Sequence, residues 1–185
     1  MAKKMIAPQI KGGPNTALLV IDVQRGLFWQ KTPIYQAEQL LDNIHTLVRK
    51  AHQAGAPVVY VQHSSDKLLV IDSSAWQLHQ RLSPLPDDLH IDKRQGDAFE
   101  ETPLMDELER LQVGTVVTCG LVTHGCVRAT TLGALQRGYR VVLAGDTHSS
   151  FSKNAAKQIK QWNANLAEAG AKLRPASDIE FKGEE

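Results

Sequence analysis

Little in this chain is in excess, and each shortage excludes a class of protein. Only two of its 185 residues are cysteine. Two cysteines cannot build a disulfide framework in a chain of this length, so a reducing cytoplasm is the expected location. Neither sign of charge dominates: 21 Lys and Arg face 20 Asp and Glu, for a formal net charge of +1. That balance leaves no electrostatic footprint for nucleic acid or an anionic membrane, and neither is expected as a partner. Long apolar runs are missing as well. The run Ala17 to Ile21 falls far short of the roughly 20 residues a membrane-spanning helix needs. The basic start of the chain has its apolar stretch interrupted by Pro8, Gln9 and Lys11, so residues 1–14 read as a short tail rather than a secretion signal. No G-x-G-x-x-G follows the first apolar run, and neither a P-loop nor a G-x-S-x-G elbow occurs.

What remains is an ordinary globular composition, 42% apolar and 22% charged, long enough for one domain with a sizeable core. Strand-like and helix-like stretches alternate. Thr16 to Asp22 is an apolar run ending in a charge, as in a strand buried on both faces. Leu40, Ile44, Leu47, Val48 and Ala51 form the stripe of a helix that Gly55 stops, and Val58 to Val61 is the next run. Thr102 and Pro103 open a helix carrying Leu104, Leu108 and Leu111, with Gly114 as its stop. Thr115 to Cys119 and Arg140 to Ala144 are further buried strands. A helix from about Cys126 to Gln136 lies between them. Lys153 to Ala169 is the last helix, and a short strand near Lys172 and Leu173 follows. This alternation predicts an α/β fold with right-handed crossovers and a mostly parallel sheet. Residues 64–101 break the pattern and read as a long loop over one end of the sheet.

Ligands of open α/β sheets bind at the carboxyl ends of the strands. Asp22, His63, the segment Gly120 to Cys126, Asp146 and His148 all fall at such ends and are expected to face one crevice. Cys126 stands at the start of a helix, where unpaired N–H groups and the helix dipole favour a thiolate, lower the thiol pKa and suit an oxyanion. A small buried residue is the equal alternative at that position. Cys119, inside a strand run, reads as core. Asp22 reads as a turn or cap, or as a buried carboxylate with a task. Lys93 reads as an exposed loop charge.

Ile21-Asp22-Val23-Gln24 after the first strand, Lys93 ahead of Asp97-Ala98-Phe99, and Gly120 to Val127 occur in an order and spacing that resembles the isochorismatase-like cysteine hydrolases. The resemblance runs from about Thr16 to Ser150 and includes Gly138 to Val141 and the Asp146 loop. It implies a three-layer α/β/α sandwich on a six-stranded sheet, and an Asp22, Lys93 and Cys126 triad. It also implies an oxyanion hole from the N–H groups of Val122 and Cys126, and a cis peptide between Leu121 and Val122. In those roles Asp22 moves the proton, Lys93 supplies charge, and Cys126 forms a thioester that water hydrolyses. A cysteine at this position favours C–N cleavage, of an amide, carbamoyl or ureide, over the vinyl ether hydrolysis of isochorismate. A redox-active thiol and a non-catalytic binding module are the readings from other classes.

The nicotinamidase branch of that superfamily binds a metal through an Asp-x-His pattern. Val61-Gln62-His63-Ser64-Ser65-Asp66 lacks it, so no metal and no cofactor are expected. His63 then reads as a polar wall of the crevice or as hydrogen-bonded structure. Phe28, Trp76 and His124 are the candidate substrate contacts, and Trp29 reads as packing under a loop. Trp162 sits on a polar helix face, where exposure would mark a subunit contact. The expected partners are a small-molecule substrate and further copies of the chain.

Overall fold

The computed structural model describes residues 13–181. Six strands form one sheet: β1 Asn15–Ile21, β2 Val58–His63, β3 Leu89–Lys93, β4 Val113–Leu121, β5 Arg140–Ser149 and β6 Lys172–Arg174. They lie in the order β3-β2-β1-β4-β5-β6, and every neighbouring pair is parallel. Parallel pairs need crossovers, and helices supply all but the β2–β3 one, which residues 64–88 make without a helix: α1 Arg25–Phe28, α2 Ala37–Gln53, α3 Leu104–Arg110, α4 Arg128–Gln136 and α5 Ala155–Glu168.

Both sheet faces are covered, which is why β1 is continuously apolar and buried from Ala17 to Ile21 rather than alternating. Leu18 and Val20 point into a core with Leu40, Ile44 and Leu47 of α2. Leu19 and Ile21 point the other way, into a core with Leu104 and Leu108 of α3, Ala134 of α4 and Leu166 of α5. The result is the three-layer α/β/α sandwich. The chain runs outward from β1 through β2 to β3, then crosses back to β4. The strand order therefore reverses between β1 and β4, the place where such sheets open a crevice.

Three readings of the sequence change. First, residues 64–101 are not all loop, because β3 lies within them. Residues 64–88 are the covering segment, and they dock on α1 through Arg25 N–H to the Gln77 carbonyl and Gly26 N–H to the Ala75 carbonyl, both 2.9 Å. Second, Gly114 does not stop α3. It lies in β4, where a Cβ would stand 2.1 Å from the Gly13 carbonyl oxygen. Third, the tail is shorter than 1–14 at its inner end. Gly13 packs against β4 and accepts a hydrogen bond from Arg140 Nη2 at 3.2 Å, while residues 1–12 lie outside the described part.

Gly120 sets the spacing at the reversal. It pairs with Ile21, has φ +116°, and a Cβ there would fall 2.0 Å from the Ile21 carbonyl oxygen. Only glycine combines that conformation with that approach.

Candidate active site

Asp22 follows β1 in a left-handed conformation, φ +51°, uncommon for a residue with a Cβ but tolerated by aspartate. It is 2% exposed. Its Oδ2 accepts from Lys93 Nζ at 3.1 Å, and its Oδ1 is buried with no hydrogen-bond partner among the described residues.

Lys93 is the last residue of β3 and pairs in register with His63, the last of β2. It is 2% exposed, not the loop charge its sequence neighbours suggested. The reason is strand alternation: Ile91 and Lys93 turn inward while His90 and Asp92 turn out. An ammonium has three N–H donors. The remaining two go to His63 Nδ1 at 3.2 Å and the Gln95 carbonyl at 3.0 Å. His63 Nδ1 must then be the acceptor, so the imidazole is neutral. Burial, and next the Lys93 charge, hold its pKa below the usual 6.5.

Cys126 lies in a wide turn of π-helical bonding, Thr123–Val127, between β4 and α4. Gly125 kinks this turn at φ −108°, ψ −111°. The N–H groups on either side of Cys126, from Gly125 and Val127, both reach the Val122 carbonyl, at 2.9 and 3.4 Å. The Leu121–Val122 peptide is cis. The Cys126 sulfur, an Asp22 carboxylate oxygen and a His63 ring nitrogen all lie within 4.8 Å of one another. Asp22, Lys93 and Cys126 are thus brought together, and His63 joins them.

Burial first, and then the Asp22 charge, push the Cys126 pKa up to about 12, while Lys93 pulls the other way. The direction is opposite to the expected lowering, and its first cause is burial of the thiol, beside a helix whose regular turns begin only at Arg128. Burial also raises Asp22 above the usual carboxylate range, against the pull of Lys93. A raised carboxylate is a better proton acceptor for a neutral thiol.

Three candidate ligands close together also invite a metal. The donor set does not fit one, because the Lys93 ammonium already sits in hydrogen-bond contact with two of the three, Asp22 and His63. A second cation there would face an unscreened like charge.

The other candidates divide. Phe28 is half-buried and packs on the His79 ring, centroids 4.4 Å apart. Trp76 is half-buried in the covering segment and donates through Nε1 to Ser64 Oγ at 2.9 Å. His124 is half-buried, with Nδ1 enclosed and unpartnered among the described residues. Trp29 is 61% exposed, so it does not pack under a loop. Trp162 is half-buried beneath Arg128, whose guanidinium carbon is 5.1 Å from the ring centre, not an open contact surface. Asp146 and His148 do not face the Cys126 crevice. They line a separate cavity of about 550 Å³ between α2 and α5. Sequence reasoning gave Gln24 no role, yet it is fully buried and binds both backbone polar groups of His63. Its signal was a polar residue three places beyond the end of a buried strand.

A thiol, a carboxylate and an ammonium thus meet at the strand reversal of a parallel α/β sandwich. The isochorismatase domain family profile matches residues 16–172, and the chain belongs to the isochorismatase family. It is 36% identical over 150 residues to a streptothricin hydrolase of Streptomyces noursei, an alignment covering 79% of this chain and 59% of that protein. A second streptothricin hydrolase from that organism is 34% identical and covered over 52% of its length, so the chain spans little more than half of these relatives. A crystal structure of an isochorismatase family protein superposes with a TM-score of 0.82 at 31% identity, covering 86% of this chain and 98% of the other. N-carbamoylsarcosine amidase from Thermoplasma acidophilum shares the fold, with a TM-score of 0.78 at 23% identity, covering 90% and 99%.

Proposed function

We propose that the protein is a metal-independent cysteine hydrolase cleaving a C–N bond of a small amide, carbamoyl or ureide substrate. The observation that carries this is the unpartnered Asp22 Oδ1 in a buried cluster with the Cys126 thiol, on a carboxylate whose other oxygen is held by Lys93. The thiol proton passes to Asp22 as the sulfur–carbon bond forms. Val122 and Cys126 N–H groups take the oxyanion. Asp22 then returns the proton to the leaving nitrogen as the C–N bond breaks. Water hydrolyses the thioester, with Asp22 accepting its proton and the thiol regaining it. Lys93 remains charged throughout and offsets the negative charge on Asp22 and sulfur.

The substrate class is supported by the presence of the thiol, which vinyl ether hydrolysis does not require, and by relatives named for streptothricin and N-carbamoylsarcosine. A redox role lacks its partner thiol, since Cys119 is fully buried in β4. Two free cysteines suit a reducing cytoplasm. Among the described residues no helix is long and apolar enough to cross a membrane.

The test is an ammonia-release screen over small amides, ureides and carbamoyl compounds, followed by intact-mass trapping of an acyl adduct. The adduct is expected in the wild type and absent from Cys126→Ala. Undiminished turnover by Cys126→Ala would refute the mechanism.

A further inference from the structure

We infer that His63 is a positioning residue for the Lys93 ammonium, held in that role by the buried amide of Gln24. This rests on Cys126 being the nucleophile, as proposed above.

Lys93 stands on β3, an edge strand whose one sheet neighbour is β2. A long flexible side chain from an edge reaches a fixed point only if its head is held from several directions. Asp22 Oδ2, the Gln95 carbonyl and His63 Nδ1 do this, at 3.1, 3.0 and 3.2 Å. His63 differs from Asp22 in kind. A neutral imidazole takes an N–H without cancelling the ammonium charge, so the charge stays directed at Asp22 and the thiol.

His63 is itself fixed by an unusual arrangement. Gln24 Nε2 donates to its carbonyl at 3.0 Å, and Gln24 Oε1 accepts its N–H at 2.8 Å. The second Nε2 hydrogen goes to the Trp76 carbonyl at 2.8 Å, tying the covering segment to the same point. Gln24 N–H bonds the Asp22 carbonyl at 2.8 Å. The circuit from Asp22 through Lys93, His63 and Gln24 back to Asp22 is therefore closed. One glutamine with no exposed surface uses both donors and its acceptor to build it. Ordering a fully satisfied buried amide in this way is out of proportion to covering a strand end, and in proportion to holding a charge in place.

The test needs no substrate. Alkylation of Cys126 by iodoacetamide is followed against pH by intact mass, with Cys126→Ala as the control for Cys119. In His63→Ala the ammonium loses one of its three acceptors and its grip on the thiolate. At any fixed pH well below the thiol pKa, where the rate tracks the thiolate fraction, the reaction should slow by roughly tenfold. His63→Asn restores an oxygen acceptor and should recover most of that loss. Gln24→Glu keeps the size but lacks both donors, and should shift the profile in the direction of His63→Ala. An unshifted His63→Ala profile overturns the inference. So does a His63→Asn profile no better than alanine, since imidazole packing alone would then explain the effect. Failure of the nucleophile reading registers separately, as turnover that survives Cys126→Ala.

Discussion

Two buried polar clusters in this molecule each centre on a histidine whose pKa burial holds below 6.5, and they are finished to different degrees. Around His148 every group is paired. Nε2 faces Asn163 Oδ1 at 2.8 Å, which can only accept, so Nδ1 takes the Thr123 hydroxyl at 2.9 Å. The Asn163 amide goes on to the Gly145 carbonyl at 3.0 Å. Around His63 one oxygen of Asp22 is left over, beside a half-buried thiol. A buried acceptor without a partner costs about 1–3 kcal/mol, and this one lies beside the thiol. The closed cluster reads as architecture that fastens the Cys126 turn to β5 and α5. The open one reads as chemistry.

Substitutions should separate the two. In the open cluster, Cys126→Ala is expected to lower kcat by on the order of 10⁴-fold or more. Lys93→Ala and Asp22→Asn should each cost roughly 10²–10⁴-fold, measured on the best substrate of the screen. In the closed cluster, His148→Ala should leave kcat within about tenfold and instead lower stability by about 1–3 kcal/mol in urea denaturation. The pH dependence of stability sharpens this. A histidine with a folded pKa below 6.5 contributes stability that is present above that pH and lost as pH falls, because the unfolded chain takes up the proton first. His148→Ala should flatten that acid-side loss, and an unchanged slope would reject the buried neutral state. The smallest effects lie outside both clusters. Breaking the exposed Arg94–Asp66 pair with Asp66→Ala should change stability by no more than about 0.5 kcal/mol. Prolonged chelation should leave turnover unaltered, and activity lost to a chelator and restored by a divalent ion would overturn the metal-independent reading.

How much of this was legible beforehand differs residue by residue. The apolar run of β1 and the stop at Asp22 mark a buried strand end directly, and the segment around Cys126 marks the turn after β4. Lys93 was harder. Leu89-His90-Ile91-Asp92-Lys93 contains two apolar residues and three polar ones, and an edge strand needs no more than that to pair on one side. The available signal was its alternation, Leu89, Ile91 and Lys93 on one face, which a lysine at an inward position disguises. His63 was legible as a strand-end residue facing the crevice, but its hold on Lys93 and the part of Gln24 were not. Both rest on hydrogen bonds spanning 30 and 39 residues, and nothing local records those. The thiol misled in the opposite direction, because a helix start can be recognised from sequence while the thiol's depth of burial cannot.

Gly120 has a consequence beyond its own turn. The acid is attached to the end of β1 and the sulfur to the end of β4, and at Gly120 those two strands touch backbone to backbone. The reach from carboxylate to thiol therefore rests on a backbone contact that leaves no room for a Cβ at position 120. Loops around the crevice are at liberty to change length and composition for a new substrate without disturbing that setting. A single methyl group at position 120 would reset it.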